Sequence, residues 1–338
     1  MDKNFKAIFR QEGYSIMALF TQDTIQIPSN LLVDRYGWPP FSILNTISWD
    51  WQRRKDEWET LFTDSTVGRD VKRYNATPVN TFSSRGASAK RAESISEFDP
   101  YLCELMLRWF SNADMKVLDP FAGGCVRGVV SSIINRKYTG IDLSKTQVDT
   151  NRGIYNNICN RYTGIEGSAE WLIGDSSDIL NNLEDDYDML FTCPPYYNLE
   201  KYSNDPNDLS NLATYDEFLI KYEGILNKAC DKLRWDSFIV IVVSEVRADR
   251  NSLQNSQYLG FVADTINILR NIGVKYYNEI ILENNIGSLP IRAPKYFEQS
   301  RKIGRHHQNI LVFYKGDIDH IPTKFSNQEL SAQNGENR

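Results

Sequence analysis

Short apolar runs alternate with longer amphipathic stretches from about Asp114 to Lys315, across most of this 338-residue chain. This alternation is typical of β-α-β units, in which helices join the strands of a mostly parallel sheet. Seven candidate strands fit the pattern: Lys116–Leu118, Tyr138–Ile141, Trp171–Ile173, Asp188–Phe191, Phe238–Val243, Tyr276–Leu282 and Asn309–Phe313. The sequence therefore predicts an α/β fold with a seven-stranded, mostly parallel sheet.

Four stretches between these runs place apolar residues three and four positions apart, as amphipathic helices do. They are Val126–Asn135, Lys145–Asn157, Tyr215–Leu233 and Phe261–Ile272. The connection between the last two strands, Glu283–Gln308, contains two prolines and two glycines and has no comparable helix pattern. We expect it to be a long loop that joins antiparallel neighbours, because loops of that length in a compact domain are usually functional or disordered.

The first hundred residues differ in character from the rest. They contain a Trp-Pro-Pro segment at residues 38–40, a Trp-rich helix candidate around residues 49–62 and a polar stretch at residues 77–96. The segment after Asp317 is polar, and we expect it to fray. The chain is accordingly divided into an N-terminal region (1–95), a main domain (96–317) and a flexible tail (318–338).

Composition excludes several classes of protein. A content of 41% hydrophobic residues is ample for a packed core and excludes a mainly disordered chain. The chain has no run of about eighteen apolar residues and no secretory pattern at its start, so we expect a cytoplasmic protein without a membrane partner. Five scattered cysteines favour reduced thiols, and no cluster has metal-ligand spacing, so no metal is expected.

Charge is unevenly distributed along the chain. The net charge of −6 argues mildly against a nucleic-acid partner, because phosphate binding needs a basic face. Four basic clusters nevertheless lie outside the strands, at Arg53–Lys55, Arg69–Arg73, Arg85–Arg91 and Arg292–His307. Such a cluster is more often a solvated face, but together the four leave a polyanion partner open.

The segment Val117–Gly128 places an acidic residue, Asp119, at the end of a strand and follows it with Gly123 and Gly124 before a helix. Glycines there let the backbone approach a ligand in the crevice at the carboxyl ends of the strands. A dinucleotide pyrophosphate would be repelled by the carboxylate, whereas the cationic S-adenosylmethionine would be attracted. The pattern therefore favours S-adenosylmethionine over a dinucleotide.

Two further acidic residues end the next two strands. Asp142 is placed to accept hydrogen bonds from ribose hydroxyls, and Asp175, followed by Ser176, from an adenine amino group. A single aspartate of this kind is more often a helix cap or a turn residue. Three at consecutive strand ends favour a ligand site.

The fourth strand runs into Cys193-Pro194-Pro195-Tyr196. Two prolines keep the backbone extended and remove two N–H donors, which leaves neighbouring carbonyls free to accept hydrogen bonds. The exocyclic amino group of a base is a poor nucleophile, and acceptors at Cys193 and the Pro194 carbonyl would direct its lone pair at a methyl donor. Tyr196 would stack on a base flipped out of the duplex.

Two other interpretations of this segment were weighed. The first is a proline-rich strand exit with buried aromatics and no chemical role. The second is that Cys193 attacks carbon 6 of cytosine before methylation at carbon 5. In enzymes of that type the thiol follows a proline, whereas Cys193 precedes the proline pair.

Asp119-Pro120-Phe121-Ala122-Gly123 resembles the cofactor motif of DNA amino-methyltransferases, the adenine-N6 and cytosine-N4 enzymes, and Thr192–Tyr196 resembles their catalytic motif. Four more segments are similar to phage and bacterial DNA modification methylases: Trp38–Leu44, Phe98–Pro100, Gly287–Arg292 and His307–Phe313. The resemblance implies a Rossmann-like methyltransferase sheet with an antiparallel last strand, S-adenosyl-L-methionine as cofactor and DNA as partner. It also implies a role in phage or restriction-modification DNA methylation, beside a restriction endonuclease.

By this resemblance Phe98, Asp99 and Pro100 hold the methionine end of the cofactor. The full set of cofactor residues is Phe98, Asp99, Pro100, Asp119, Pro120, Phe121, Gly123, Gly124, Asp142, Asp175 and Ser176. The catalytic set is Cys193, Pro194, Pro195 and Tyr196. The chain departs from the family at Cys193, where Asp, Asn or Ser is usual, so the motif does not choose between adenine and cytosine.

No separate recognition domain fits between or after these motifs. We therefore expect DNA to be recognised by the N-terminal region and by two loops, Tyr197–Leu212 and Glu283–Gln308. The expected phosphate contacts are Arg292, Lys295, Arg301, Lys302 and Arg305. Methylation of RNA or of a protein glutamine, and a catalytically inactive DNA-binding regulator, are the alternatives, and the sequence leaves the oligomeric state open.

Overall fold

The computed structural model describes residues 36–63, 98–197, 205–248 and 257–325. Eight strands in this part of the chain form one sheet in the order β1-β7-β8-β6-β5-β2-β3-β4. They are β1 (Ile43–Asn45), β2 (Lys116–Asp119), β3 (Lys137–Asp142), β4 (Ser168–Ile173), β5 (Tyr187–Thr192), β6 (Leu233–Val243), β7 (Lys275–Glu283) and β8 (His307–Lys315).

Helices connect most of these strands. They are α1 (Trp49–Thr63), α2 (Pro100–Phe110), α3 (Val126–Ile133), α4 (Lys145–Arg161), α5 (Ser176–Ile179), α6 (Tyr215–Asp231), α7 (Phe261–Ile272), α8 (Leu289–Ser300) and α9 (Ile321–Lys324). None of the helices in the described ranges is long and apolar enough to cross a membrane.

The sheet is covered on both faces because consecutive residues of its central strands are buried. Side chains alternate between faces along a strand. Val117 and Phe191 join a core with α1 to α4, whereas their neighbours Leu118 and Leu190 join a second core with α6 and α7. The result is a three-layer α/β arrangement with one hydrophobic core on each side of the sheet.

The order of the strands reverses at the centre of the sheet. The chain runs from β2 outward through β3 to β4, all parallel, and then returns to the other side of β2 with the parallel strands β5 and β6. Strand β8 is antiparallel to both β6 and β7. The β2/β5 pair is therefore a topological switch point, the place where open α/β sheets bind ligands.

The predicted fold class is confirmed, and all seven predicted strands are present. The predicted number of strands is wrong, because β1 adds an eighth strand from the N-terminal region, parallel to β7. Its three residues are too few to show a pattern, although only the central Leu44 is buried. The predicted long loop between β7 and β8 is also wrong, since it contains α8, whose second residue is Pro290 and whose interior holds Pro294.

The described N-terminal residues pack into the same core as the main domain. Trp51 and Trp58 of α1 are buried, and Glu104 of α2 accepts hydrogen bonds from Trp58 Nε1 at 2.6 Å and from the Arg54 guanidinium. The expected boundary near residue 95 lies outside the described residues, so the division into domains stays a prediction.

The first residues of the expected flexible tail are folded. Residues 318–325 form two short helical turns and place the Phe325 ring 5.0 Å from the Phe238 ring, measured between centroids. Residues 326–338 lie outside the described part of the chain.

Candidate active site

The ends of β2 and β5 meet directly at the switch point. Thr192, the last residue of β5, donates a hydrogen bond from Oγ1 to Asp119 Oδ1 at 2.6 Å, and Asp119 is the last residue of β2. The glycine segment that follows β2 and the Pro-Pro segment that follows β5 therefore leave the sheet side by side. The two halves of the predicted site share one crevice.

Asp119 lies beneath this crevice, with no exposed surface. Its oxygens accept hydrogen bonds from four groups of the chain: Arg127 Nε at 2.5 Å, Thr192 Oγ1 at 2.6 Å, Tyr138 Oη at 2.8 Å and Phe121 N at 3.1 Å. Arg127 pairs with this charge in the structure, and the expected attraction between Asp119 and a cationic ligand stays a prediction. The sequence analysis missed the pair because Arg127 lies one helical turn after the glycines, inside a predicted helix.

Arg127 holds the floor of the crevice together. Its Nη2 donates to the carbonyls of Phe121 at 2.8 Å and Ala122 at 3.0 Å, and its guanidinium lies 4.7 Å from the centroid of the Phe98 ring. Burial opposes its charge, but Asp119, together with Tyr138 and Cys193, raises the pKa of Arg127 above its ordinary value. Loss of either partner would leave an unpaired buried charge, which typically costs about 3–5 kcal/mol.

The glycine turn forms an open cradle. Gly123 adopts a φ of +52°, which favours glycine, and its N–H donates to Asp142 Oδ2 at 2.9 Å. Its carbonyl accepts from Asn151 Nδ2 at 2.7 Å. A Cβ on Gly123 or Gly124 would meet nothing within 4 Å, so space is free above a backbone that is fixed from below.

Asp142 is the acidic group on the edge of this cradle. It is half-buried at the end of β3, and its other oxygen accepts from Ser144 N at 2.8 Å. Burial raises the pKa of its carboxyl to about 6 despite these two hydrogen bonds. Each carboxylate oxygen can accept more than one hydrogen bond. Asp142 is therefore suited to a ligand that donates from hydroxyl groups.

Asp175 and Ser176 are engaged in local structure. Asp175 caps α5 by accepting from Ser177 N at 2.8 Å and pairs with Lys221 Nζ at 2.9 Å. Burial opposes its charge, but Lys221 and the hydrogen bonds from Ser177 together lower the pKa of Asp175. Ser176 Oγ donates to the Pro120 carbonyl at 2.6 Å and thereby braces the turn after β2. The expected contact between Asp175 and an adenine amino group stays a prediction.

The segment Phe98-Asp99-Pro100 divides between two functions. Asp99 caps α2 by accepting from two backbone N–H groups at 2.9 and 3.1 Å, and it also accepts from Trp51 Nε1 at 3.1 Å. Pro100 is the buried first residue of that helix. Phe98 packs edge-on against Phe191 of β5, with 5.7 Å between ring centroids. Phe98 therefore reaches the crevice beside the end of β5, whereas Asp99 faces α1.

The segment Cys193–Tyr196 has no regular secondary structure and leads into a turn at Tyr197. Pro194 is buried, and the other three residues are half-buried. The following residue, Tyr197, has a φ of +49°, which is rare for a side chain of this size and costs on the order of 1–3 kcal/mol. Its ring is buried, and its hydroxyl donates to the Ala213 carbonyl at 3.2 Å. Packing thus imposes the turn, as is common at functional sites.

A residue that the sequence analysis missed completes this corner. Gln308 of β8 donates from Nε2 to the Tyr196 hydroxyl at 3.3 Å, and that hydroxyl lies 3.4 Å from Cys193 Sγ. The hydroxyl is therefore held between an amide and a thiol. The sequence analysis included Gln308 in the segment His307–Phe313 but gave it no role at the site.

The five residues expected to contact DNA separate into two groups. Arg292 and Lys295 are exposed on α8. The other three, Arg301, Lys302 and Arg305, line a groove of about 670 Å³. The groove was not foreseen, because it also requires Arg247 and Tyr258, which are distant in sequence from the cluster Arg292–His307.

The remaining basic clusters have other positions. Arg53 and Arg54 pair with Glu57, and Arg54 also pairs with Glu104, so that cluster stabilises α1 and α2. The clusters Arg69–Arg73 and Arg85–Arg91 lie outside the described residues, as do residues 198–204 of the first expected recognition loop.

No protein-family model and no curated protein matches the chain. Among solved structures, the chain is similar to the precorrin-6y C5,15-methyltransferase of Geobacter metallireducens, with 12% identity, a TM-score of 0.41 and coverage of 67% of this chain and 93% of that one. A TehB-like SAM-dependent methyltransferase of Corynebacterium glutamicum gives 16% identity, a TM-score of 0.37 and coverages of 63% and 86%.

A Thermus thermophilus protein assigned provisionally as a DNA modification methylase, complexed with S-adenosyl-L-methionine, is also similar. It gives 21% identity, a TM-score of 0.32 and coverages of 42% and 51%. With all three TM-scores below 0.5, these likenesses establish neither the family nor the activity of the chain.

Proposed function

We propose that this protein is an S-adenosylmethionine-dependent methyltransferase that methylates the exocyclic amino group of adenine (N6) or cytosine (N4) in DNA. One observation carries the proposal. A glycine cradle with Asp142 at its edge and the segment Cys193–Tyr196 open into the same crevice, and the Thr192–Asp119 hydrogen bond joins them at 2.6 Å.

The residues of the cradle fit this cofactor. Asp142 would accept hydrogen bonds from the ribose hydroxyls, since each of its oxygens accepts one backbone N–H among the described residues and can accept a further donor. Gly123 and Gly124 leave free space for the ligand above their backbone. When bound, the cofactor supplies an electrophilic methyl group. Asp119 contributes by fixing Arg127 and Thr192.

The segment after β5 would prepare the amino group. Pro194 and Pro195 have no N–H, so the Pro194 carbonyl can accept a hydrogen bond from the substrate amino group. Cys193 Sγ would accept a second one, which draws the nitrogen toward a pyramidal geometry and exposes its lone pair. The Tyr196 hydroxyl lies 3.4 Å from the thiol and accepts a hydrogen bond from Gln308 Nε2 at 3.3 Å, so the two residues hold the thiol in position. Both acceptors therefore act mainly in the transition state.

Transfer of labelled methyl groups tests this proposal. The protein is incubated with S-adenosylmethionine carrying a labelled methyl group, and DNA, RNA and a mixed protein substrate are offered side by side. The proposal expects label in DNA, and mass spectrometry of the digested nucleosides should show N6-methyladenine or N4-methylcytosine. Label in RNA or in protein glutamine would support the alternative substrates. Cofactor and DNA binding without any S-adenosylhomocysteine would support an inactive regulator.

A further inference from the structure

A basic groove lies at the edge of the sheet beside the crevice. It has a volume of about 670 Å³ and is lined by Arg247, Tyr258 and the continuous stretch Ser300–His307. Arg247 follows the end of β6, and it is bridged to Tyr258, which precedes α7. Three separate chain segments therefore build one concave surface.

The groove concentrates positive charge. Its lining contains the guanidinium groups of Arg247, Arg301 and Arg305 together with the amine of Lys302, and no acidic residue is among the described residues that line it. Burial and the nearby charges of Arg305 and His306 lower the pKa of His307, as expected where cations crowd together. Its chemistry suits a ligand with several negative charges.

The groove also offers an aromatic surface. The Tyr258 side chain is 43% exposed, and the Arg247 guanidinium lies 4.1 Å from the centroid of its ring. Exposed aromatic rings beside cationic side chains are surfaces on which nucleic-acid bases stack. In addition, His306 Nδ1 is buried and has no hydrogen-bond partner among the described residues.

The groove adjoins the catalytic segment. Its last lining residue, His307, begins β8, and the next residue, Gln308, donates to the Tyr196 hydroxyl at 3.3 Å. A strand that delivers a base to Cys193 and Pro194 would therefore pass its backbone close to the groove.

We propose that this groove binds the backbone phosphates that flank the target nucleotide, with Arg247, Arg301 and Lys302 as phosphate contacts and Tyr258 as a stacking surface for a neighbouring base. The assignment to DNA rests on the proposed function. It differs from the sequence-based expectation in adding Arg247 and Tyr258, and in giving Arg292 and Lys295, which lie outside the groove, no part in this contact.

Salt dependence of DNA binding tests the groove without knowledge of a recognition sequence. A fluorescein-labelled DNA duplex of mixed sequence is titrated with protein between about 50 and 200 mM salt, because each phosphate contact contributes about 0.9 to the logarithmic slope. The triple variant Arg247→Gln/Arg301→Gln/Lys302→Gln should reduce the slope by about 2 to 3. The control Arg270→Gln, exposed in the last turn of α7 and absent from the groove lining, should leave it unchanged.

Cofactor binding and thermal unfolding of each variant show whether it is folded, and Arg301→Gln alone should reduce the slope by about 1 if the triple variant is unstable. An unchanged slope in a folded variant would overturn the groove, even if methyl transfer continues. If the triple variant reduces the slope but the unaltered protein never transfers a methyl group, the groove still binds phosphates and the proposed function is refuted. Equal loss with the Arg270→Gln control would also refute the groove.

Discussion

Acidification through about pH 6 should weaken cofactor binding, because the Asp142 carboxyl has a pKa of about 6 in the free protein. Ribose hydroxyls donate to an ionised carboxylate far better than to a protonated one. Affinity should therefore be complete above about pH 7 and fall about tenfold for each unit below pH 6, since one unit corresponds to about 1.4 kcal/mol.

Stability of the free protein should change in the opposite direction. The folded-state pKa of Asp142 lies above its ordinary value of 3.8, so protonation favours the folded state. This group should add at most about 3 kcal/mol as the pH falls from 7 to 4. Weaker ligand binding at low pH would thus not arise from loss of the fold.

Two variants separate this carboxylate from its neighbours. Asp142→Asn should weaken binding about 10- to 100-fold at pH 8, as expected for the loss of a charge-assisted hydrogen bond, and should remove the dependence near pH 6. Asp231→Asn is the matched control, because Asp231 is exposed at the last residue of α6, and this variant should keep both the affinity and the decline near pH 6. Calorimetric titration with S-adenosylhomocysteine from pH 5 to 8 measures the ligand affinity of each variant and its dependence on pH. A decline near pH 6 that persists in Asp142→Asn would refute the assignment.

Two other predictions concern chemistry and packing. Cys193→Ser should keep at least about a tenth of the methyl-transfer rate, because serine also accepts hydrogen bonds. Complete loss of activity in this variant, together with 5-methylcytosine as the product of the unaltered protein, would indicate a nucleophilic thiol. Gly128→Ala should destabilise the fold by about 1–3 kcal/mol, since its Cβ would lie 2.4 Å from the Trp171 ring. Gly153→Ala should stabilise the fold by about 0.5–1 kcal/mol, because a Cβ at this helix position meets nothing within 4 Å. Urea unfolding measures this pair, and equal stabilities would contradict the packing argument.

Local patterns were sufficient to predict the elements with strong punctuation. Helix α7 was predicted with its observed bounds because Gly260 and Gly273 flank it, and both adopt a positive φ. The central strands were found for a similar reason, since runs such as Phe238–Val243 are apolar at every position. By contrast, Pro290 and Pro294 concealed α8, because prolines usually mark a loop.

The site was predicted at the level of strand ends but not of contacts. The acidic ends of β2, β3 and β4 follow from the sequence, whereas the difference between them is tertiary. Asp119 is paired with Arg127, Asp175 is paired with Lys221, and Asp142 has only backbone donors among the described residues. No spacing in the sequence distinguishes these three environments, so the carboxylate without a cationic partner among the described residues could be recognised only in the fold.

The central claim is that one crevice at the β2/β5 switch point holds the methyl donor beside the Pro-Pro segment. A crystal structure with S-adenosylhomocysteine measures this most directly. The account expects the ribose beside Asp142, the ligand above Gly123 and Gly124, and its sulfur directed toward Cys193 and Pro194. Ligand density at another edge of the sheet, or with Asp142 unengaged, would contradict it.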